Sequence, residues 1–396
     1  MASGSHANLP RRGVGASEDT LVMHARVIAG AGGGPEKTIV NSPRYLVDQG
    51  YPMVCAYMRD PLDPYFPDLL ERAAAKNATI LPVDDNGPFD WKVIGRLNQL
   101  VREHEPVIWH AHEYKSNFVG LFAKRTLPMV MVTTVHGWVQ HTWKTPLYYG
   151  IDKICLRRYD HVICVSQDIY EDVRRLGISE ANCTYIPNGI DTDEYQRRES
   201  RESVKARLGG DPDRLVFGAV GRLSDEKGFH LLIESFDRMQ RKTGANAELW
   251  IAGEGAEKDR LESLVKDLGV YDRVKLLGFR KDTLDLYHAM DAFVLSSIRE
   301  GLPNVVLEAM ALGVPVFSTT VAGVPNVIRD GENGLLTECG SADALDGGLE
   351  MLMTDKALRD RIGSAGRESV VESHSFALRM RRVRNVYDAL LERQPR

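Results

Sequence analysis

The sequence predicts an α/β protein of two domains, each a parallel β-sheet covered by helices. Its 396 residues exceed one ordinary domain and suit two of about 150 to 200 residues. From Leu21 onward, short β-branched runs alternate with longer helical patterns, which is typical of parallel sheets layered by helices. A charged stretch after Asp191 interrupts this alternation, and the pattern then starts again. The domain junction is therefore expected near this stretch.

Seven short apolar runs predict the strands of the first domain, at residues 21–27, 53–58, 78–83, 107–112, 129–135, 161–165 and 184–186. Amphipathic stretches between them predict helices, for example at 36–48, 91–103 and 167–176. The charged stretch that follows predicts an exposed connector with one short helix.

The second half repeats the pattern with strands expected at 215–220, 247–251, 274–277, 292–295, 314–318 and 334–336. Near-continuous apolar strands such as LVFGAV suit a sheet covered on both faces. Two helical stretches, 356–372 and 375–392, close the chain. The predicted organisation is a flexible tail at 1–20, domains at 21–195 and 215–374, a linker at 196–214 and a terminal helical segment at 375–396.

Composition narrows the class of protein. Hydrophobic residues at 43% and charged residues at 27% exclude a disordered chain, a collagen-like fibre and a membrane bundle. Fifty basic residues against fifty-five acidic ones give a net charge of -5, so no overall basic field attracts nucleic acid. We therefore expect a folded protein with no nucleic-acid partner.

The five cysteines form no Cys-x-x-Cys pair and predict reduced core thiols. No run reaches the ~18 apolar residues of a transmembrane helix, and the first twenty residues lack the apolar core of a signal peptide. These observations favour a cytoplasmic location.

Two glycine-rich loops follow predicted strands and precede helices. The first, GAGGGPEKT, could hold a phosphate or a hydroxyl group, but Pro35 stands where a dinucleotide fingerprint needs its third glycine. The alternative is a tight turn. The second, GRLSDEKGF, carries Arg222 and Lys227 and suits a diphosphate. Its alternative is surface pairing of those cations with Asp225 and Glu226.

The stretch SSIREGLPNVVLEAMALGVPVFSTTVAGVPNVI carries two glutamates around a helix start. Pro303 can begin a helix, so Glu300 precedes it and Glu308 lies in its second turn. Free amides at the helix start favour an anion there. A phosphate flanked by carboxylates that bind hydroxyl groups indicates a sugar nucleotide. The alternative is two ordinary helix acids.

Five segments resemble glycosyltransferase family 4: EGLPNVVLEAMALGVPVFST, GRLSDEKGFHLLIESF, LWIAGEGAEKDRLE, VKLLGF and IPNGID. This family belongs to the glycogen synthase-like superfamily, whose members are retaining enzymes of the GT-B fold. The resemblance implies two facing Rossmann-like domains with a deep cleft between them. It also implies that the first domain binds the acceptor, the second binds the donor, and the C-terminal helix returns to the first.

The resemblance also implies roles for matching residues. Arg222 and Lys227 match the pair that holds the donor diphosphate and neutralises charge on the leaving group. Glu300 matches the acid that contacts the donor sugar, and Glu308 matches the acid that binds the ribose hydroxyls. His136 matches a histidine near the transferred sugar. Further donor contacts are implied for Gly33, Gly34, Gly221, Phe279, Arg280, Leu302, Asn304 and Val305.

These roles imply a front-face substitution in which the departing phosphate helps to deprotonate the acceptor. They require no protein nucleophile, cofactor or metal ion. Pro35 departs from the family pattern, in which small or acidic residues are usual. Acceptor-side contacts are expected from His110, His112, Trp138 and His141.

A zinc site at His110 and His112 is the metal alternative, but no third ligand is evident in the sequence. The aspartates of DTD after Ile190 predict a turn. The aromatic residues after His136 could also touch a membrane surface at the inner membrane face.

The expected activity is transfer of a hexose-type sugar from a nucleoside-diphosphate sugar to a sugar, lipid-linked or small-molecule acceptor. Two alternatives remain open at this point: a nucleotide-sugar 2-epimerase of the same architecture, and a sugar-nucleotide binder without catalysis.

Overall fold

The structure is a computed structural model, and it describes residues 20–28, 33–87, 90–137, 145–300, 303–321 and 323–393. It confirms the prediction of two Rossmann-like α/β sheets. The predicted tail at 1–20 lies outside the described residues, except for Thr20.

The first sheet has seven strands in the order β3-β2-β1-β4-β5-β6-β7. The strands are Val22–Ile28 (β1), Met53–Arg59 (β2), Thr79–Asp84 (β3), Ile108–Ala111 (β4), Val130–Val135 (β5), His161–Cys164 (β6) and Cys183–Tyr185 (β7). β1 pairs in parallel with β2 on one side and with β4 on the other, and its His24 lies opposite His110. All residues of β4 and β5 are buried, as expected for a sheet covered on both faces.

The second sheet has six parallel strands in the order β10-β9-β8-β11-β12-β13. They are Leu215–Val220 (β8), Ala247–Ala252 (β9), Val274–Leu276 (β10), Ala292–Leu295 (β11), Val316–Thr319 (β12) and Leu335–Thr337 (β13). Apolar side chains of these strands enter two buried clusters with the surrounding helices. The burial of both faces explains why the strands are nearly continuous in apolar residues.

Fifteen helices connect the strands in the described part of the chain. They are Gly34–Asn41 (α1), Pro43–Leu46 (α2), Phe66–Ala74 (α3), Lys92–His104 (α4), Tyr114–Ala123 (α5), Thr145–Leu156 (α6), Gln167–Arg175 (α7), Arg201–Arg207 (α8), Phe229–Thr243 (α9), Lys258–Leu268 (α10), Thr283–Ala289 (α11), Asn304–Ala311 (α12), Ala342–Thr354 (α13), Lys356–Ser373 (α14) and Phe376–Glu392 (α15). Several begin at a side-chain cap; the Asp355 carboxylate, for example, accepts the amide of Leu358 over 2.8 Å at the start of α14.

The chain divides into two compact units. The first contains residues 1–163, 172–184 and 384–396, and the second contains 164–171 and 185–383. The connector helix α8 thus belongs to the second unit. Within that unit it is held by Asp291, whose carboxylate pairs with Arg201 and Lys205.

Two local expectations are wrong. The single helix expected at 36–48 divides into α1 and α2, because Pro43 has no amide hydrogen to continue the helical hydrogen bonds. All five cysteines are free, but only four are core thiols, since Cys339 is exposed in a bend after β13.

Among the described residues, no helix combines the length and the apolar character needed to cross a membrane.

Candidate active site

The loops that follow β8 and β11 lie side by side in the second unit. These strands are the first and fourth of their sheet along the chain, yet they are hydrogen-bonded neighbours. Chain connections diverge on either side of such a pair, and open α/β sheets bind ligands at this switch point. The predicted loop 221–229 follows β8 and Glu300 follows β11, so the sheet brings them to one edge.

Lys227 and Glu300 form an ion pair at this switch point. The Lys227 ammonium donates to Oε1 of Glu300, and the Ser297 hydroxyl donates to the same oxygen over 2.9 Å. The side chains of Lys227 and Glu300 are only 17% and 13% exposed. Water therefore screens this pair less than it screens surface ion pairs. The ammonium can hold an anion, and the carboxylate can accept hydrogen bonds from hydroxyl groups.

Backbone contacts fix the relative positions of these two loops. The Ser296 hydroxyl donates to the carbonyl of Lys227 over 2.9 Å, and the Ile298 amide donates to the carbonyl of Glu226 over 2.8 Å. Gly228 adopts the left-handed conformation with φ of 62°, and a Cβ there would overlap the carbonyl oxygen of Ser296. Glycine is therefore required for the close approach that positions Lys227.

Arg222 has a different environment from Lys227. Its guanidinium lies 3.6 Å from Oε1 of Glu226 and is 63% exposed, while Asp225 pairs with Arg260 at 3.3 Å. The surface-pairing alternative thus describes Arg222 but not Lys227. An exposed arginine with one weak partner can turn to an incoming anion at small cost.

Helix α12 begins at Asn304, four residues after Glu300, with Pro303 as its N-cap. The first-turn residues Asn304 and Val305 leave amides without helical partners, which favours an anion at this end. The side-chain oxygen of Asn304 is buried and has no hydrogen-bond partner among the described residues. Leu302 lies outside the described residues.

Glu308 lies in the second turn of α12 and is 2% exposed. The hydroxyl of Tyr287 on α11 donates to Oε2 of Glu308 over 2.8 Å, and the hydroxyl of Tyr195 also bonds to this carboxylate. Burial, reinforced by the nearby Glu308 charge, raises the pKa of both phenols, so they remain donors. Two tyrosines therefore orient Glu308, and neither is predicted from the sequence, because both resemble ordinary core aromatics.

The loops after β9 and β10 continue the same sheet edge. The Gly221 amide donates to the carbonyl of Ala252 over 3.0 Å, and the Gly253 amide donates to the carbonyl of Gly278 over 2.8 Å. Phe279 follows and is 51% exposed, with a ring face available for contact.

Arg280 is less available than Phe279, because its guanidinium makes two hydrogen bonds to Asp282, at 2.7 and 2.5 Å. This pairing was not anticipated from the sequence. A ligand that uses the guanidinium of Arg280 must share it with Asp282.

The first unit has an equivalent switch point between β1 and β4. Here the Gly33 amide, at the N-cap of α1, donates to Oε2 of Glu36 over 2.5 Å, and Glu36 also pairs with Arg26. Gly34 is the first residue of α1 and Pro35 the second. The glycines before Gly33 lie outside the described residues. The helix start is thus fixed by a carboxylate from its own first turn.

A group of histidines fills this switch point. His24, His110 and His112 are each at most 3% exposed. His110 bonds to the hydroxyls of Thr134 at 2.8 Å and of Tyr387, near the end of α15, at 2.5 Å. Burial lowers the pKa of His24 to about 3 and holds the pKa of His112 well below its usual value. The imidazoles of His24 and His112 are therefore neutral at neutral pH.

His24 supplies the third imidazole that was not evident from the sequence. One nitrogen from each of His24, His110 and His112 lies within 4.8 Å of the others. The His110 ring, however, stacks on the rings of His24 and His112, with centroids 4.8 and 4.5 Å apart and planes 26 and 14° from parallel. Imidazole lone pairs lie in the ring plane, so stacked rings do not direct them toward one point between the rings. This geometry suits a hydrogen-bonded stack better than a tetrahedral zinc centre.

His136 follows β5 and is half-buried, and its Nε2 lies 3.3 Å from Nδ1 of His112. Trp138 and His141, expected on the acceptor side, lie outside the described residues. The DTD aspartates form the predicted turn, in which the Asp191 carboxylate accepts the amides of Asp193 and Glu194 at 3.2 Å each.

Two doubly wound parallel sheets, one with a cation and a carboxylate paired at its switch point, define a protein of the GT-B glycosyltransferase class. Comparison with family models agrees. Residues 32–194 match the model for glycosyltransferase family 4, and residues 200–369 match the model for glycosyl transferases group 1. The two matches together span most of the chain, which belongs to the family 4 type of glycosyltransferases.

Two proteins similar in sequence are also named as glycosyltransferases. The chain is 36% identical over 219 residues to the lipopolysaccharide core biosynthesis glycosyltransferase LpsE of Rhizobium meliloti; the match covers 55% of this chain and 61% of that relative's length. It is 28% identical to the capsular polysaccharide biosynthesis glycosyltransferase CapM of Staphylococcus aureus, covering 76% of this chain and 82% of that protein.

The fold is also found among solved structures. The crystal structure of Anabaena HepE in complex with UDP-glucose superposes with a TM-score of 0.79 at 22% sequence identity. The superposition covers 93% of this chain and 99% of HepE. At this identity the match supports the GT-B fold.

Proposed function

We propose that the protein is a retaining glycosyltransferase that moves a hexose-type sugar from a nucleoside-diphosphate sugar to an acceptor hydroxyl. The observation that carries this proposal is the Lys227–Glu300 pair at the switch point of the second sheet. One partner suits the donor's phosphate and the other suits the hydroxyls of its sugar. Epimerisation and binding without catalysis would use the same pair, so the experiments below are chosen to separate them from transfer.

The donor would contact several elements along one sheet edge. Lys227, Arg222 and the first-turn amides of α12 would hold the diphosphate. Glu300 would accept hydrogen bonds from the sugar, and Glu308, held by its two tyrosines, from the ribose. Phe279 and Arg280 would lie beside the base. Further donor contacts are proposed for Gly221, Leu302, Asn304 and Val305.

In the proposed reaction the bond between the sugar's anomeric carbon and the phosphate oxygen breaks, and a bond to the acceptor oxygen forms on the same face. The bonding electrons leave with the nucleoside diphosphate, and the acceptor's proton passes to a departing phosphate oxygen. Charge on that oxygen grows as the bond lengthens. Lys227 and Arg222 would stabilise it, which lowers the barrier because preorganised cations favour the transition state over the ground state.

We propose that this charge is neutralised without a metal ion. Support comes from the two cations after β8 and the free helix amides after β11, which follow neighbouring strands and would supply the stabilisation that a divalent ion provides elsewhere. Chelation with EDTA should then leave turnover unchanged. Loss of activity that magnesium restores would contradict this part of the proposal.

The donor can be identified by thermal melting with UDP-glucose, other UDP-sugars, GDP-sugars and ADP-sugars. UDP-glucose is the first choice because the structurally similar HepE was crystallised with it. A donor present at about 100 times its Kd should stabilise the fold by about 2.7 kcal/mol. Failure of every nucleotide sugar to raise the melting temperature would contradict the proposal.

The best donor should then be incubated with saccharide acceptors from bacterial surface glycans, the class suggested by the names of LpsE and CapM. The expected result is multiple-turnover formation of a glycoside that keeps the donor's anomeric configuration, measured by NMR. A matched incubation without acceptor tests the epimerase alternative. Formation of a 2-epimer there, with no glycoside in any acceptor trial, would overturn the assignment.

A further inference from the structure

Three histidines of the first unit are joined in a line by hydrogen bonds. Nδ1 of His24 lies 2.7 Å from Nε2 of His112, and Nδ1 of His112 lies 3.3 Å from Nε2 of His136. We call this line the histidine relay. His24 comes from β1, His112 follows β4 and His136 follows β5, so three neighbouring strands supply one residue each.

The central ring of the relay is neutral. Burial is the main reason that the pKa of His112 is well below its usual value, and the surrounding imidazoles of His24, His110 and His136 add to it. The nearby cation is Arg26, which donates to the backbone carbonyl of His112 over 3.2 Å and further disfavours a charged ring. His112 therefore carries a single ring hydrogen at neutral pH.

A single hydrogen on His112 couples the two outer rings. If it lies on Nδ1, it is donated to His136, and Nε2 of His112 must accept from His24. If it lies on Nε2, it is donated to His24, and Nδ1 of His112 must accept from His136. In each case both hydrogen bonds run in the same direction. The tautomer of His136 is thus tied to the tautomer of His24, although their rings share no hydrogen bond.

The relay ends at His24. Nε2 of His24 is buried and has no hydrogen-bond partner among the described residues. His24 also stacks on His110, whose own nitrogens bond to Thr134 and Tyr387. Packing thus holds the His24 ring, and a hydrogen on Nε2 would be buried without an acceptor among the described residues, which favours the hydrogen on Nδ1.

We propose that His24, acting through His112, sets the tautomer and ring orientation of His136 and is a positioning residue for sugar transfer. The part that concerns transfer rests on the proposed function and adds to it the role that the family resemblance implies for His136, near the transferred sugar. The part that concerns the tautomer does not, because it is a property of the resting protein.

The tautomer can be measured directly by long-range ¹H–¹⁵N NMR of the histidine-labelled full chain at neutral pH, with His136 assigned from its absence in His136→Gln. In the wild type, the two ring nitrogens of His136 should show the widely separated shifts of a single tautomer. His24→Phe keeps a stacked ring but removes the hydrogen bond to His112. The two shifts of His136 should then move toward each other as both tautomers become populated.

His161→Phe is the matched control, because His161 is also buried in the first sheet but bonds to Thr184 at 2.9 Å, outside the relay. It should leave the His136 shifts at their wild-type values. If His24→Phe does not fold, His24→Leu breaks the same hydrogen bond. His24→Asn, whose amide can take the place of Nδ1, should restore the single tautomer. Unchanged His136 shifts in a folded His24→Phe or His24→Leu, or averaged shifts already in the wild type, would overturn the proposal.

Kinetics then test the link to transfer. His24→Phe should lower kcat by about tenfold and leave the donor KM within about twofold, since a displaced catalytic contact affects the transition state more than binding. Wild-type kcat together with altered NMR shifts would contradict the positioning role. If the protein transfers no sugar at all, the kinetic experiment fails but the NMR experiment still decides the tautomer.

Discussion

The two sheets place very different groups at the same topological position. In both, the first strand of the sheet lies beside the fourth and precedes a helix. In the second unit this position holds Lys227 and Glu300, a partly exposed pair of opposite charge. In the first unit it holds buried histidines that bond to one another and to hydroxyls.

This difference shows that topology selects where a site lies, while local residues select its chemistry. The charged pair suits a ligand that brings its own charge and hydroxyl groups. The histidine relay suits the precise placement of His136, because buried neutral rings keep fixed hydrogen bonds. Variants at the two positions should therefore fail in different ways.

The largest effect is expected at the charged switch point. Lys227→Ala should lower kcat/KM by about 10²–10³-fold, the usual cost of removing one preorganised group that stabilises developing charge. Melting should change little, because Glu300 retains the hydrogen bond from Ser297 and contact with water. Glu300→Gln should also reduce turnover sharply. Steady-state kinetics and thermal melting measure both effects.

The control is Lys356→Ala, which removes a lysine that is 79% exposed and paired with Asp360 on α14. It should leave kcat/KM at the wild-type value. Wild-type turnover in Lys227→Ala would show that the paired cation does not serve the reaction.

A smaller effect on stability is expected when the pH is lowered, because of His24 at the switch point of the first sheet. His24 has a pKa of about 3 when folded and 6.5 in the ordinary state, so between these values the unfolded chain binds a proton that the folded chain does not. The free energy of unfolding should therefore decrease as pH falls. From about pH 7 to about pH 5, one such histidine contributes a loss of about 2 kcal/mol.

Urea unfolding across this pH range measures the effect. His24→Phe should show a shallower pH dependence than the wild type, because one buried titrating group is gone. His104→Phe, at the partly exposed end of α4, is the comparison and should keep the wild-type dependence. An identical slope in His24→Phe and the wild type would contradict the assignment of His24 as buried and neutral.

The smallest effect is expected at Glu308. Tyr287→Phe removes one of two hydroxyls that orient this carboxylate, and should raise the donor KM by about fivefold, corresponding to about 1 kcal/mol for one hydrogen bond. Tyr57→Phe is a matched control, since the Tyr57 hydroxyl is buried without a partner among the described residues. Equal KM values in Tyr287→Phe and Tyr57→Phe would mean that Tyr287 does not orient a donor contact.

Much of the fold was predictable because each buried strand is a short, nearly continuous apolar run. Leu215–Val220 and Ala292–Leu295 match their predicted bounds, and other strands shift by one or two residues. The proximity of Lys227 and Glu300 also followed from sequence, because both lie in loops that follow predicted strands. Strand ends of one parallel sheet meet at one edge.

The remaining contacts of the site depend on strand order and side-chain packing, which sequence patterns do not specify. His24 lies within an apolar strand, and its neighbours became visible only when the strand order placed β1 beside β4. Tyr195 and Tyr287 are far apart in the chain, and their shared contact with Glu308 is a product of packing. Side-chain partners in a charged loop are similarly undetermined, so Arg222 and Lys227 differ in environment despite their similar charge.

The resting Lys227–Glu300 pair also has a consequence for discrimination among ligands. An incoming molecule that separates the two must offer each a replacement: negative charge to the ammonium, and hydrogen-bond donors to the carboxylate. Inorganic phosphate, or a nucleotide that has already lost its sugar, offers only the first. If the pair binds the donor as proposed, the Glu300 carboxylate competes with free anions for Lys227, and this competition disfavours spent product and inorganic phosphate relative to an intact sugar donor.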